Sequence, residues 1–178
     1  MPPRSHDIFV SHSTSDVSVA QIVCEALEGA GMGCWIAPRD ILPGQTWSGA
    51  IVEGIAGCRV VLILLSARSG ASTEVLREVE LASRHRRKLV AVRIDDVAPS
   101  GDLAYFLSAT QWFDAFPPPL PPRLAELVDV VRAHLGIEER TLPGESTQEP
   151  ELVEVDLDDF GRRGRRRAGI IDRLLGDR

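Results

Sequence analysis

A chain of 178 residues, 44% of them hydrophobic, can bury one ordinary core and leaves roughly thirty residues over, which argues against several independent domains. Its formal net charge of -6 argues against a general nucleic-acid binder, because neutralising phosphates needs a surplus of Lys and Arg on some face. The cysteines Cys24, Cys34 and Cys58 are odd in number and far apart, with no His at metal-ligand spacing, so neither a disulfide framework nor a metal site is expected and reduced, buried thiols in a cytoplasmic protein are.

The opening residues, MPPRSHDIFVSHS, lack the basic start and long apolar run of a secretory leader. Residues 7–11, DIFVS, are rich in β formers and predict a first strand, ended by the polar SHSTSD. From Asp16 the apolar period becomes 3.6, with Val19, Val23, Ala26, Leu27 and Ala30 on one stripe. Asp16 or Ser15 is the expected N-cap, and Gly29 and Gly31 supply the stop. A second strand at 33–36 feeds the densest backbone punctuation in the chain, CWIAPRDILPGQTW at 34–47. Pro38 and Pro43 fix φ there, and Pro43-Gly44 reads as the centre of a tight turn. Arg39 and Asp40 sit on this stiff loop, either as a displayed binding pair or as a local ion pair inside a well-built connector. A second helix over 47–57 follows, weakened by Gly49 and Gly54, with Trp47 expected as its core anchor.

The run VVLILL at 60–65 is apolar at every position, as a strand covered on both faces requires; it is the longest such run and far too short to span a membrane. Ser66 and Ser69 read as turn residues, and Ser72 caps a third helix reaching about Arg84, with Val75, Leu76, Val79 and Ala82 inward. A fourth strand is expected at 89–94, a short helical piece at 103–107 and a fifth strand at 110–113. After the proline-rich 117–122, Leu124, Leu127, Val128, Val131 and Leu135 mark a last amphipathic helix. One domain over 1–138 and a charged, flexible tail over 139–178 are thus expected: 145–159 hold seven acidic and no basic side chains, and GRRGRRR follows with five arginines in six residues.

Five strands alternating with helices imply a doubly wound α/β domain, for which the commonest strand order at this size is 2-1-3-4-5. That order puts a switch point between the first and third strands, with ligands expected outside their carboxyl ends. The loops there are 11–16 and 66–72, with the Arg39-Asp40 loop beside them. A phosphoacceptor receiver on the same topology is unfavoured, since the third strand ends in Leu65-Ser66 without the acidic residue such a pocket needs.

Taken together, DIFVSHSTSD, WIAPRDILPG, VVLILLS and the helix following Ser72 resemble a Toll/interleukin-1 receptor (TIR) domain of the bacterial type over about residues 7–135. RDILPG at 39–44 is similar to the family's BB loop, and QWFDAF falls in the family's order. The resemblance implies a flavodoxin-like fold, assembly with other TIR domains into an oligomer or filament through surfaces that include the loop of Asp40, Pro43 and Gly44, and, as in many members, cleavage of NAD. NAD is then the substrate and no cofactor is needed. By motif alignment the family's glutamate is Glu78; Ser11, His12 and Ser13 match the loop that approaches the substrate, Arg39 offers a charge to the pyrophosphate, and Ser72 lines the pocket. Breaking the nicotinamide-ribose bond builds an oxocarbenium-like charge that one carboxylate can stabilise, and the leaving nicotinamide departs neutral without a general acid.

Glu74, one turn before Glu78, stands where many catalytic members carry an aromatic, which weighs against a cyclic ADP-ribose product. Its like charge is also expected to raise the pKa of one of the two carboxyls. Two functions compete: an NAD glycohydrolase in bacterial immunity or virulence signalling, with a weakly active or inactive monomer, and a non-catalytic adaptor working by homotypic assembly.

Overall fold

The apolar run Val60–Leu65 is buried at all six positions and becomes the central strand of the sheet. A computed structural model describes residues 6–137 apart from 100, 111 and 118; the expected tail at 139–178 lies outside the described residues. The elements are β1 (Ile8–Ser11), α1 (Val17–Gly29), β2 (Cys34–Trp35), α2 (Trp47–Gly57), β3 (Val60–Leu65), α3 (Thr73–Arg84), β4 (Lys88–Arg93), α4 (Gly101–Leu107), β5 (Trp112–Asp114) and α5 (Pro121–Leu135). Short 3-10 turns, Thr14–Asp16 and Ser69–Ala71, precede α1 and α3.

The sheet runs β2-β1-β3-β4-β5 with every pair parallel, as the helix-strand alternation requires. Register follows the pleat: Ile8 faces Val60 and Ser11 faces Ile63, while Leu62 faces Val90. Alternate side chains then part to two cores. Ile8, Val10, Leu62, Leu64, Val90 and Val92 meet Val23 and Leu27 of α1 and Leu127 and Val131 of α5. Phe9, Trp35, Val61, Ile63 and Ala91 meet Ile55 of α2, Val75 and Val79 of α3, and Leu103 of α4. Each fully buried large aliphatic side chain contributes about 2 kcal/mol, so this two-sided burial is the main force that holds the flavodoxin-like frame. All three cysteines are free and buried in these cores.

Local differences from the sequence reading have identifiable causes. β2 is two residues long because the Ile36 amide leaves the ladder and donates to Asp40 Oδ2 at 2.8 Å. α1 has no side-chain cap from Asp16. Ser13 instead accepts from the Ser15 amide and opens the 3-10 turn before it. Gly31, at φ +83°, ends α1 as expected. Trp47 is no core anchor: it is 59% exposed, and the ring beneath α2 is Trp35, stacked on Phe9 at 4.9 Å. Only glycine fits above it, since a Cβ at Gly54 would lie 2.9 Å from Trp35. β5 extends one residue past its expected end, to Asp114, which pairs in register with Arg93 and is also ion-paired to it at 2.5 Å, while the Ala115 amide donates to the Arg93 carbonyl. No helix among the described residues is long and apolar enough to cross a membrane.

Candidate active site

β1 and β3 lie side by side and their carboxyl ends open at the point where the sheet order reverses. Two serine-carboxylate hydrogen bonds cross that point. Ser11, at the end of β1, donates to Glu78 Oε2 of α3 at 2.5 Å. Ser66, just past β3, donates to Asp16 Oδ2 at the entry to α1 at 2.6 Å. Each strand end is therefore bonded to a residue that follows the other strand.

Local sequence explains both contacts. Ser72 caps α3 by accepting from the Val75 amide, which sets the helix phase. Glu78 then falls three residues after Val75 and four before Ala82, both buried, so its side chain is carried inward with them. Past β3, the Ser66 amide donates to Ser69 Oγ at 2.8 Å while Ser66 Oγ accepts from the Ser69 and Arg68 amides. With those acceptor positions used, the Ser66 hydroxyl proton is directed to Asp16. Arg68 also reaches Ser15 Oγ at 3.4 Å, a second link between the two loops.

Burial pushes the Glu78 carboxyl up to about 7, the Ser11 hydrogen bond opposes that rise, and the like charge of Glu74 adds to it. Glu74 itself is exposed and moves the opposite way, below the usual glutamate range, because its own amide and Ser72 donate to it. The expected like-charge effect is thus present but subordinate to desolvation. His12 is held below the ordinary histidine value by burial, against its contact with the Val10 carbonyl and the charge of Asp16, so its ring is neutral at neutral pH.

The matched residues fall into groups. Ser11 and Glu78 are in direct contact, and Ser11 is 1% exposed. His12 and Ser13 continue the same loop, Ser13 being used in its turn. Ser72 lines a cleft of about 210 Å³ between residues 70–73 and 101–103 that Leu76 floors; neither Ser11 nor Glu78 borders it. That is below the several hundred Å³ of an ordinary ligand pocket, so this cleft by itself is too small for a dinucleotide.

Arg39 is not brought to the crevice. Its guanidinium pairs with Glu28 in a fork, at 2.7 and 3.2 Å, and donates to Asp40 Oδ2 and the Cys34 carbonyl. Glu28 stands about 17 Å along α1 from Val17, the end of the helix nearest the crevice. The Arg39-Asp40 pair therefore fastens its loop to the far end of α1. Pro43 and Gly44 form the turn beyond it, Gly44 at φ +89° and the Gln45 amide donating to the Leu42 carbonyl. Leu42 is 63% exposed at that turn.

Sequence reasoning missed three residues. Asp16 carries the local signature of a cap, and nothing local announces a partner fifty residues away. Glu28 lies off the apolar stripe of α1 and looks like any solvated glutamate. Arg68 could have been found, because topology already placed its loop at the switch point.

Comparison with known proteins agrees with this frame. The family model described as TIR domain matches residues 8–128. A stimulator of interferon genes protein from Magallana gigas is 29% identical over 110 residues, covering 54% of this chain and 26% of the relative, so the chain spans about a quarter of that protein. The TIR domain of the Toll-related receptor TRR-2 from Hydra magnipapillata superposes with a TM-score of 0.59 at 14% identity, over 72% of this chain and 98% of that one. A metazoan TIR-STING receptor from C. gigas, solved in complex with 2′,3′-cGAMP, gives 0.59 at 23% identity, over 76% of this chain and 40% of the receptor. The family model spans β1 through about half of α5 and so takes in the sheet, the crevice and the loop after β2; the chain belongs to the TIR-domain family.

Proposed function

We propose that the domain hydrolyses NAD at the nicotinamide-ribose bond, with Glu78 beside the reacting ribose. The observation that carries this reading is a carboxyl drawn inward at the switch point, bonded to a buried hydroxyl and raised to about 7 by burial. In the reaction the bond between the nicotinamide nitrogen and the anomeric carbon breaks, and its electron pair neutralises the cationic ring. Water adds to the anomeric carbon and loses a proton, giving nicotinamide, ADP-ribose and H⁺. The ionised Glu78 stabilises the oxocarbenium-like charge between these events. The cationic nicotinamide ring beside the carboxyl favours that ionised form, so binding of the ring and deprotonation reinforce each other.

Arg68 replaces Arg39 as the residue assigned to the pyrophosphate, being the exposed guanidinium carried by the loops at the ends of β1 and β3. Glu74 is acidic and bonded to Ser72, which favours plain hydrolysis over a cyclic product. A role in immune or virulence signalling by NAD depletion follows from such a reaction.

A second reading, an adaptor acting by assembly with other TIR domains, is favoured by the apolar exposure of Leu42 and Trp47 on either side of Pro43-Gly44. Nicotinamide release from NAD, measured on the purified chain alone and under crowding that promotes assembly, separates the two. We expect release that falls about a hundredfold or more in Glu78→Ala, and an Arg68→Ala variant that raises KM while keeping kcat. Release that survives Glu78→Ala would falsify the catalytic reading.

A further inference from the structure

We propose that Ser11 is a positioning residue for Glu78: its hydroxyl holds the α3 carboxyl in one orientation against the end of β1, and it does not touch substrate. The inference rests on the reading above only in so far as Glu78 acts on a ligand.

β1 is buried at all four positions, and three of them, Ile8, Phe9 and Val10, are apolar. A serine closing such a strand places a hydroxyl where an alanine would fill nearly the same space, and the hydroxyl has one described side-chain partner, Glu78. The 2.5 Å separation is that of a direct, close hydrogen bond, and a hydroxyl donated to a carboxyl favours its ionised form. A glutamate side chain has several rotatable bonds, and a carboxylate that must face one developing charge gains from being fixed beforehand.

The surroundings offer no substitute. The elements packed on α3 are α2, α4, β1, β3, β4 and the 3-10 turn before it. They carry Glu53 on α2, Asp102 and Tyr105 on α4, and Lys88 and Arg93 on β4, with His12 next to Ser11 and Arg68 next to the 3-10 turn. Lys88 and Arg93 are bonded to the His134 carbonyl and to Asp114, and among the described residues none of these groups is hydrogen-bonded to Glu78. Glu74 acts on Glu78 through charge alone. The Ser66-Asp16 bond fixes the other end of the loop that leaves Ser11, so the donor is itself held.

Removing the hydroxyl should therefore free the carboxyl and withdraw the bond that favours its ionised form. The test uses the full chain as wild type, Ser11→Ala, Ser11→Cys and Glu78→Gln. Carboxyl ¹³C resonances of labelled glutamate are titrated, the Glu78 signal being the one lost in Glu78→Gln, and nicotinamide release is followed against pH under assembling conditions. In Ser11→Ala the Glu78 midpoint and the acidic limb should both rise by about one pH unit. At neutral pH, kcat should fall about tenfold while KM stays within twofold. Ser11→Cys fills the same place with a poor donor and should follow Ser11→Ala, which removes packing as the cause. An unmoved midpoint in Ser11→Ala overturns the assignment, as does a Ser11→Cys variant with the wild-type midpoint. A shifted midpoint in a chain that releases no nicotinamide overturns the hydrolysis reading and leaves the Ser11-Glu78 assignment standing.

Discussion

The crevice at the ends of β1 and β3 and the loop after β2 both carry charged side chains on backbone shaped by Ser, Pro and Gly, and they use them in opposite ways. In the loop, Arg39 meets Glu28 and Asp40 in partial exposure, where ion pairs are screened and serve mainly to fasten backbone. In the crevice, Glu78 is drawn inward with a neutral hydroxyl as its partner, so its protonation responds to burial and to whatever charge enters. The lesson is that a charged pair on a heavily punctuated loop can serve the backbone alone. A carboxyl with no cation beside it is the better marker of reactivity, because its unpaired charge is available to a ligand.

The sharpest way to break that contrast is through stability against pH. Glu78 titrates near 7 when folded and near the ordinary 4.5 when unfolded. Below about 4.5 both states hold the proton and nothing is lost. Between the two values the unfolded chain releases its proton first, so stability falls as pH rises, and above 7 the loss is constant. Full desolvation would make it about 3 kcal/mol, and a half-buried carboxyl brings the expectation to about 1–2 kcal/mol. Glu78→Gln keeps an acceptor for Ser11 and cannot ionise. Urea unfolding should find it as stable as wild type at pH 4 and more stable by that amount at pH 8. An equal difference at both pH values would show that Glu78 is not held in the way the crevice geometry requires.

A smaller effect is expected from the loop. Arg39→Ala removes the fork to Glu28, the pair with Asp40 and the bond to the Cys34 carbonyl. Partly exposed networks of this kind are worth up to about 1 kcal/mol, and the difference from wild type should shrink in high salt. Nicotinamide release should stay within about twofold at saturating NAD. A tenfold fall in kcat would place the loop in the chemistry and erase the distinction between the two regions.

Much of the frame was legible in the chain. Six consecutive β-branched and aliphatic residues at Val60–Leu65 read as a strand covered on both faces, and the alternation of elements then points to the parallel order 2-1-3-4-5 and its crevice, as found. Ser72 as a cap also follows from the local pattern, whereas Glu78 is singled out only by the resemblance to the family. Less legible were contacts made across the fold. A strand buried on both faces gives no alternation from which to read the direction of Ser11, and a local rule assigned Asp16 to a cap when its partner sits beyond β3. Trp47 looked like an anchor because aromatics usually are, but Trp35 already fills the space over Gly54. For Arg39 the sequence leaves a displayed charge and a local ion pair with Asp40 both open, and its other partner, Glu28, belongs to the preceding helix where no local rule points to it.

The smallest effect separates two causes within the crevice itself. Glu74 lies one turn before Glu78 and bears on it as a like charge, yet it is exposed and engaged by Ser72, so water and salt screen it. If burial governs Glu78, Glu74→Gln should lower the acidic limb of nicotinamide release by only a few tenths of a pH unit, and the difference should vanish in high salt. The direction matters as much as the size, since removing a like charge must move the limb down whereas removing the Ser11 donor must move it up. A fall of a full unit would make Glu74 the controlling group. The carboxyl pair would then be a coupled site, and the inward position of Glu78 would cease to explain its protonation.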